Sequence, residues 1–122
     1  MKHVRRATTI AAVLALISAG IAVASGGPSG TYVTTVNSAG TLNGTYHVTF
    51  SPGHFTLHAP YGIVGHGTDS VSGSRITLHG PGSCTTAGVY EFRISGSSLT
   101  FHKIKDPCPR EKVLTAHSLH RG

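Results

Sequence analysis

Eight histidines lie beyond residue 24, at positions 47, 54, 58, 66, 79, 102, 117 and 120, and imidazoles at this density raise metal ligation first. Two ligands on one face of one strand need His-x-His spacing, and the chain has none. A pair on neighbouring strands would serve instead. His47 and His58 are those candidates, with His54 on the same face, and the chemistry they offer is weak chelation of Zn²⁺ or Cu²⁺. The sequence supplies no third fixed ligand, so no metal and no other cofactor is expected, and the histidines read as half-polar outward strand positions. Hydrolytic chemistry has less to work with. The only carboxylates are Asp69, Glu91, Asp106 and Glu111. Asp69 stands beside Ser70, but no Gly-x-Ser-x-Gly elbow presents a nucleophile. Asp106 precedes Pro107, a turn-forming pair. The run Gly62-Ile63-Val64-Gly65-His66-Gly67 is glycine-rich without a following helix, so it reads as a curved or bulged strand rather than a phosphate cradle. We expect no enzyme and assign no catalytic residue.

The start of the chain bears on where this chemistry would operate. Lys2, Arg5 and Arg6 precede an apolar stretch from Ala7 to about Val23, and Ala22-Val23-Ala24 is a small-residue pattern that a signal peptidase reads. The expectation is a signal-peptide helix over residues 1–24, a domain over 25–122 starting at Ser25, and a secreted, extracellular product with no stable membrane anchor. Both Cys84 and Cys108 remain after cleavage, and an even pair in an exported chain is expected to form a disulfide. The formal charge of +6 falls to a scattered +3 once the three leader cations are removed. With no dense Lys/Arg run, nucleic acid is not an expected partner.

The elements that must position these residues are strands. At 122 residues with 39% hydrophobic, 11% charged and 16 Gly, the chain allows one domain and excludes a charge-laced helical bundle. Apolar and polar residues alternate over 44–50, 54–59, 74–79 and 88–94; further candidates are 31–36, 61–67, 98–104 and 111–118, giving about eight strands and no helix. Pro52-Gly53 registers Phe50 on Phe55, Val48 on Leu57 and His47 on His58. Gly96-Ser97 suits a II′ turn, pairing Ile94 with Leu99 and Phe92 with Phe101. Extended outward, that hairpin brings Cys84 almost opposite Cys108. Lys103 then falls on the inward phase and Ile104 on the outward one, predicting a bulge or a strand end there. Eight short antiparallel strands in sequence order predict an all-β, up-and-down barrel, because closure removes exposed edges. Seven aromatic residues (Tyr46, Phe50, Phe55, Tyr61, Tyr90, Phe92 and Phe101) fall on the inward set, with Tyr32 unassigned.

These residues resemble a known group. Leu42-Asn43-Gly44-Thr45-Tyr46 is similar to the Gly-x-aromatic opening of the first strand in lipocalin-like (calycin) proteins. Gly88-Val89-Tyr90-Glu91-Phe92 with Asp106-Pro107-Cys108-Pro109-Arg110 resembles small secreted lipocalin-like proteins of bacteria, most of them uncharacterised. The resemblance spans roughly residues 30–120. It implies a lipocalin-like antiparallel barrel whose cavity carries a small hydrophobic molecule. It also implies structural roles for Gly44 and Arg110, with the Arg110 guanidinium lying over the Tyr46 ring.

Two functions follow as expectations. One is a secreted, non-enzymatic carrier with a small apolar ligand lined by Tyr46, Val48, Phe50, Phe55, Leu57, Ile76, Leu78, Tyr90, Phe92, Leu99 and Phe101. The other is a solid barrel acting as a protein-interaction or inhibitor module through its outer face and loops. An interior of several hundred Å³ would favour the first, and a packed one the second.

Overall fold

The computed structural model describes residues 26–82 and 84–122. The expected signal peptide and its cleavage site lie outside them. Eight strands run β1 Gly30–Val36, β2 Gly44–Ser51, β3 His54–His58, β4 Val64–Ser72, β5 Arg75–His79, β6 Gly88–Ser95, β7 Ser98–Lys105 and β8 Leu119–Arg121. Each pairs antiparallel with the next, and β8 returns to β1 to close an up-and-down barrel. Both hairpins have the register that their turns and alternation dictate: His47 on His58 and Phe50 on Phe55 in one, Ile94 on Leu99 and Phe92 on Phe101 in the other. The pairing of β6 with β7 shifts where Tyr90 faces Lys103 and Val89 faces Lys105. Ile104 is therefore the extra residue of a bulge, at the position where the inward phase fails.

The inward faces meet in one apolar core around Tyr32, Phe50, Phe55, Tyr90 and Phe101, whose rings touch edge-on or tilted at centroid separations of 5.8–6.4 Å. Tyr32, which alternation leaves unassigned, is fully buried, whereas Tyr61, expected inward, is 86% exposed. The reason is local. Pro60 and Gly62 place Tyr61 in a tight turn between strands rather than on one.

Three further expectations are corrected. Residues 111–118 are not a strand. Arg110–Leu114 form a short helix, α1, preceded by Pro109, and its Arg110, Val113 and Leu114 are buried at the i, i+3, i+4 spacing of a helical face. Glu111 in its first turn and Lys112 in its last suit the helix dipole. Leu114 joins the main core, and Val113 joins a second cluster with Val36 and Tyr46, so α1 stoppers one end of the barrel.

The run 62–67 is not bulged, and its residues join a strand only from Val64 onward. β4 pairs in unbroken register with β3 and continues through Asp69 and Ser70 to Ser72. Its inward Gly65 and Gly67 make room for neighbours. A Cβ on Gly67 would overlap the His79 carbonyl oxygen and lie 2.5 Å from two carbons of the Phe55 ring. A main-chain carbonyl held in the β4–β5 ladder cannot yield. Gly67→Ala is therefore expected to cost roughly 2–3 kcal/mol, read as a lowered urea midpoint at unchanged slope.

The third correction concerns the first strand. Gly44-Thr45-Tyr46 opens β2, while the first strand opens with its own Gly-x-aromatic, Gly30-Thr31-Tyr32. The arginine stacked on an aromatic ring is accordingly Arg121 of β8, with its guanidinium carbon 4.9 Å from the Tyr32 centroid. Arg110 is engaged elsewhere.

Candidate functional site

The expected lining residues all point into the barrel, and each is buried except Leu57, which is half-buried. Together they fill it. The enclosed space among Val48, Phe50, Phe55, Leu57 and Leu78 beneath α1 is about 10 Å³, the volume of a single water, whereas ligand pockets occupy about 300–1,000 Å³. Eight strands enclose just enough room for side chains, and here seven of the inward positions, on β1, β2, β3, β6 and β7, carry aromatic rings.

The more open chemistry lies at the end covered by α1. A cleft of about 250 Å³ runs between Leu42, Tyr46, Leu57, Ala59, Pro81 and Val113. Tyr46 donates its hydroxyl to the Leu42 carbonyl at 2.7 Å. Burial, then the neighbouring Tyr61, raises the Tyr46 pKa above its ordinary value and keeps it neutral. Gly44 enters β2 at φ +136°, and any side chain there would overlap the Pro60 ring, so the β3–β4 turn packs directly on its backbone. That turn is closed by the Ala59 amide donating to the Ile63 carbonyl at 2.8 Å. At its tip Tyr61 has φ +73°, ψ 13°. A bulky residue in this left-handed region is strained by about 1–3 kcal/mol, and such strain collects where function requires it. Tyr61, Ile63 and Val64 make this turn the most apolar exposed stretch among the described residues. Alternation alone misses it by placing Tyr61 inward; the Pro-Tyr-Gly triplet is the signal that could have found it.

The other wall of the cleft is held by a buried ion pair. Arg110 donates through Nε to Asp106 Oδ2 at 2.7 Å and through Nη2 to Oδ1 at 3.1 Å, with the two side chains 3% and 0% exposed. Its remaining donors reach the Gly80 carbonyl at 2.6 Å, the Thr86 carbonyl at 2.7 Å and the Cys84 sulfur at 3.0 Å. Tyr90 also donates its hydroxyl to Asp106, and the Cys108 amide donates to Oδ1 at 3.0 Å. Burial and that hydrogen bond raise the Tyr90 pKa strongly. Cys84 and Cys108 form the expected disulfide. One guanidinium thus ties together the β5–β6 loop, the disulfide, the β7–α1 loop and α1, and Asp106 extends the link to Tyr90 of β6.

Elsewhere the histidine candidates come together only as a pair. His47 and His58 face each other across β2 and β3, both exposed, with His54 at the other end of β3. Among the described residues, the one group of three metal-binding types within mutual reach is Cys84, Asp106 and Cys108. Its sulfurs are bonded to each other, and its carboxylate is committed to Arg110 and Tyr90. Asp69 and Ser70 occupy consecutive positions of β4, so their side chains leave opposite faces and form no dyad. Glu111 meets Lys103 at 3.6 Å, and Glu91 faces Arg75 and His102 on the outer surface. Compared with protein-family models, with curated proteins and with solved structures, the chain matches none.

Proposed function

We propose that this chain is an exported, non-enzymatic, solid barrel that binds another protein through the end bearing Tyr61. The observation that carries this reading is the strained, exposed Tyr61 beside an open apolar cleft. A projecting aromatic ring with a shallow cleft next to it suits an apolar side chain of a protein partner, since aromatic residues dominate interface energetics. Carriage of a small apolar molecule within the barrel is the lesser reading. It needs several hundred Å³, against the roughly 10 Å³ available. The up-and-down topology is what a lipocalin-like barrel would have, but here the core residues act as packing.

Native mass spectrometry of protein purified from its own host tests this. The expected result is a retained protein partner and no lipid; a small apolar molecule bound one-to-one would overturn it. Tyr61→Gly sharpens the test. Glycine relieves the positive φ, so stability is expected to rise by about 1 kcal/mol while the partner is lost. Partner retention at full affinity in that variant would move the interface elsewhere.

A further inference from the structure

The outer face of β2, β3 and β4 is built from histidine, threonine, serine and one valine. Tyr46, Val48, Phe50 and Phe55 point into the barrel, so His47, Thr49 and Ser51 on β2 and His54, Thr56 and His58 on β3 point out. Asp69 is the one charged residue in these three strands, and it lies on the inward phase of β4. A cation approaching this face therefore meets no lysine or arginine on these strands to repel it, and no carboxylate to divert it.

Two of the histidines meet. His47 is directly opposite His58 in the β2–β3 ladder, and both are exposed. Residues paired in this way have Cβ atoms about 4.5–5.5 Å apart, and two nitrogens that share one zinc ion stand about 3.3 Å from each other. Rotation of two exposed rings among their staggered positions spans that difference without moving the backbone. Val33 of β1 and Val64 of β4 end the row, opposite His47 and His58 respectively. His66 is one row away, opposite Thr56, with its Nδ1 3.5 Å from that hydroxyl. His54 is at the far end of β3, opposite Thr68. Of the described histidines, only His47 and His58 are partners across a ladder.

Imidazole nitrogen suits Zn²⁺ and Cu²⁺, whereas Mg²⁺ and Ca²⁺ take oxygen ligands. A structural zinc takes four protein ligands, and the missing third ligand argues against that kind of site. It does not argue against an open surface site in which water fills the other positions.

We propose that His47 and His58 form a two-histidine site for Zn²⁺ or Cu²⁺ on the outer wall of the barrel. The bound ion bridges β2 and β3 three residues before Tyr61. Its remaining positions face solvent, where water or a donor from outside completes them. The site stands on the ladder register and on exposure, so it is independent of the partner reading above.

Calorimetric titration of the full chain with Zn²⁺ at about pH 7.5, where imidazole is ordinarily neutral, tests this. His47→Asn, His58→Asn and His54→Asn are run beside the unsubstituted chain, so every other histidine is common to the comparison. His47→Asn and His58→Asn are each expected to weaken one binding event roughly tenfold or more, since loss of even an outer partner of a metal ligand costs about that. His54→Asn is expected to leave it unchanged, and Mg²⁺ to give no heat. NMR of the unsubstituted chain supplies a readout that needs no variant. On addition of Zn²⁺ the ring resonances of His47 and His58 are expected to move together and saturate at the same ion concentration. Unchanged affinity in His47→Asn or His58→Asn, an equal loss in His54→Asn, or two rings that saturate separately overturn the site.

Discussion

Arg110→Met is expected to destabilise the barrel by about 3–5 kcal/mol, because it leaves the Asp106 carboxylate buried without its cation. Asp106→Ala should cost a similar amount for the mirrored reason, stranding a guanidinium that is almost fully enclosed. Two of the five bonds from Arg110 end on the buried Asp106 carboxylate, and the other three on partly buried groups of the β5–β6 loop. Replacing both partners at once with apolar residues of similar volume should cost less than the sum of the two single changes, as the two charges vanish together. Urea unfolding of the three variants decides this. Near-additive losses would mean that the pair is not the source of the cost.

The same pair sets a pH dependence. Burial pushes the Asp106 pKa up, but the Tyr90 hydroxyl, the Cys108 amide and Arg110 together outweigh it and hold the pKa below the usual carboxylate value. A carboxyl whose folded pKa is depressed binds its proton less tightly when folded. Its contribution is therefore fully present above its unfolded pKa, near 3.9, and is lost as pH falls through the folded value. Unfolding midpoints should accordingly drop below about pH 4, and Asp106→Asn should remove that component of the slope. Asp69, raised by burial, has the opposite sign: its contribution is present below the ordinary carboxylate range and is lost as pH rises past it.

Converting Cys84 and Cys108 together to serine is expected to cost about 3 kcal/mol, since the bond closes a loop of 24 residues in sequence. For a domain of this size that is a fall of roughly 12–24 °C in melting temperature, measurable by calorimetry in matched buffers without reductant. The loss should not add to that of Arg110→Met. The arginine and the disulfide restrain the same loop, the arginine through the Gly80 and Thr86 carbonyls and the Cys84 sulfur. Hydrogen exchange of the amides in 84–88 would locate the loosening.

Sequence and structure agree where two local signals coincide. Pro52-Gly53 and Gly96-Ser97 fix turns, and the flanking alternation fixes which side chains meet, so both hairpins and the Ile104 bulge are legible. Where one signal stands alone, it misleads. Residues 111–118 mix apolar and polar types, and only the buried trio Arg110, Val113 and Leu114 carries the helical period. That period is hidden because an arginine does not count as apolar. Asp106 and Arg110 stand four apart, a spacing that suits an ion pair, but Asp-Pro argues for a turn first. The inward phase of β4 is obscured because two of its positions are glycine and a third is Asp69. The filled interior is not legible, because strand number sets the barrel's radius while the rotamers of several rings decide whether space remains.

The stacking of Arg121 on Tyr32, with its bond to Ser29, brings the strand that opens the barrel and the strand that ends it side by side at one pole. The Tyr61 turn lies at the other pole. Anything joined before β1 or after β8 would therefore lead away from the cleft, so the domain can be tethered from either direction with its aromatic tip still facing outward.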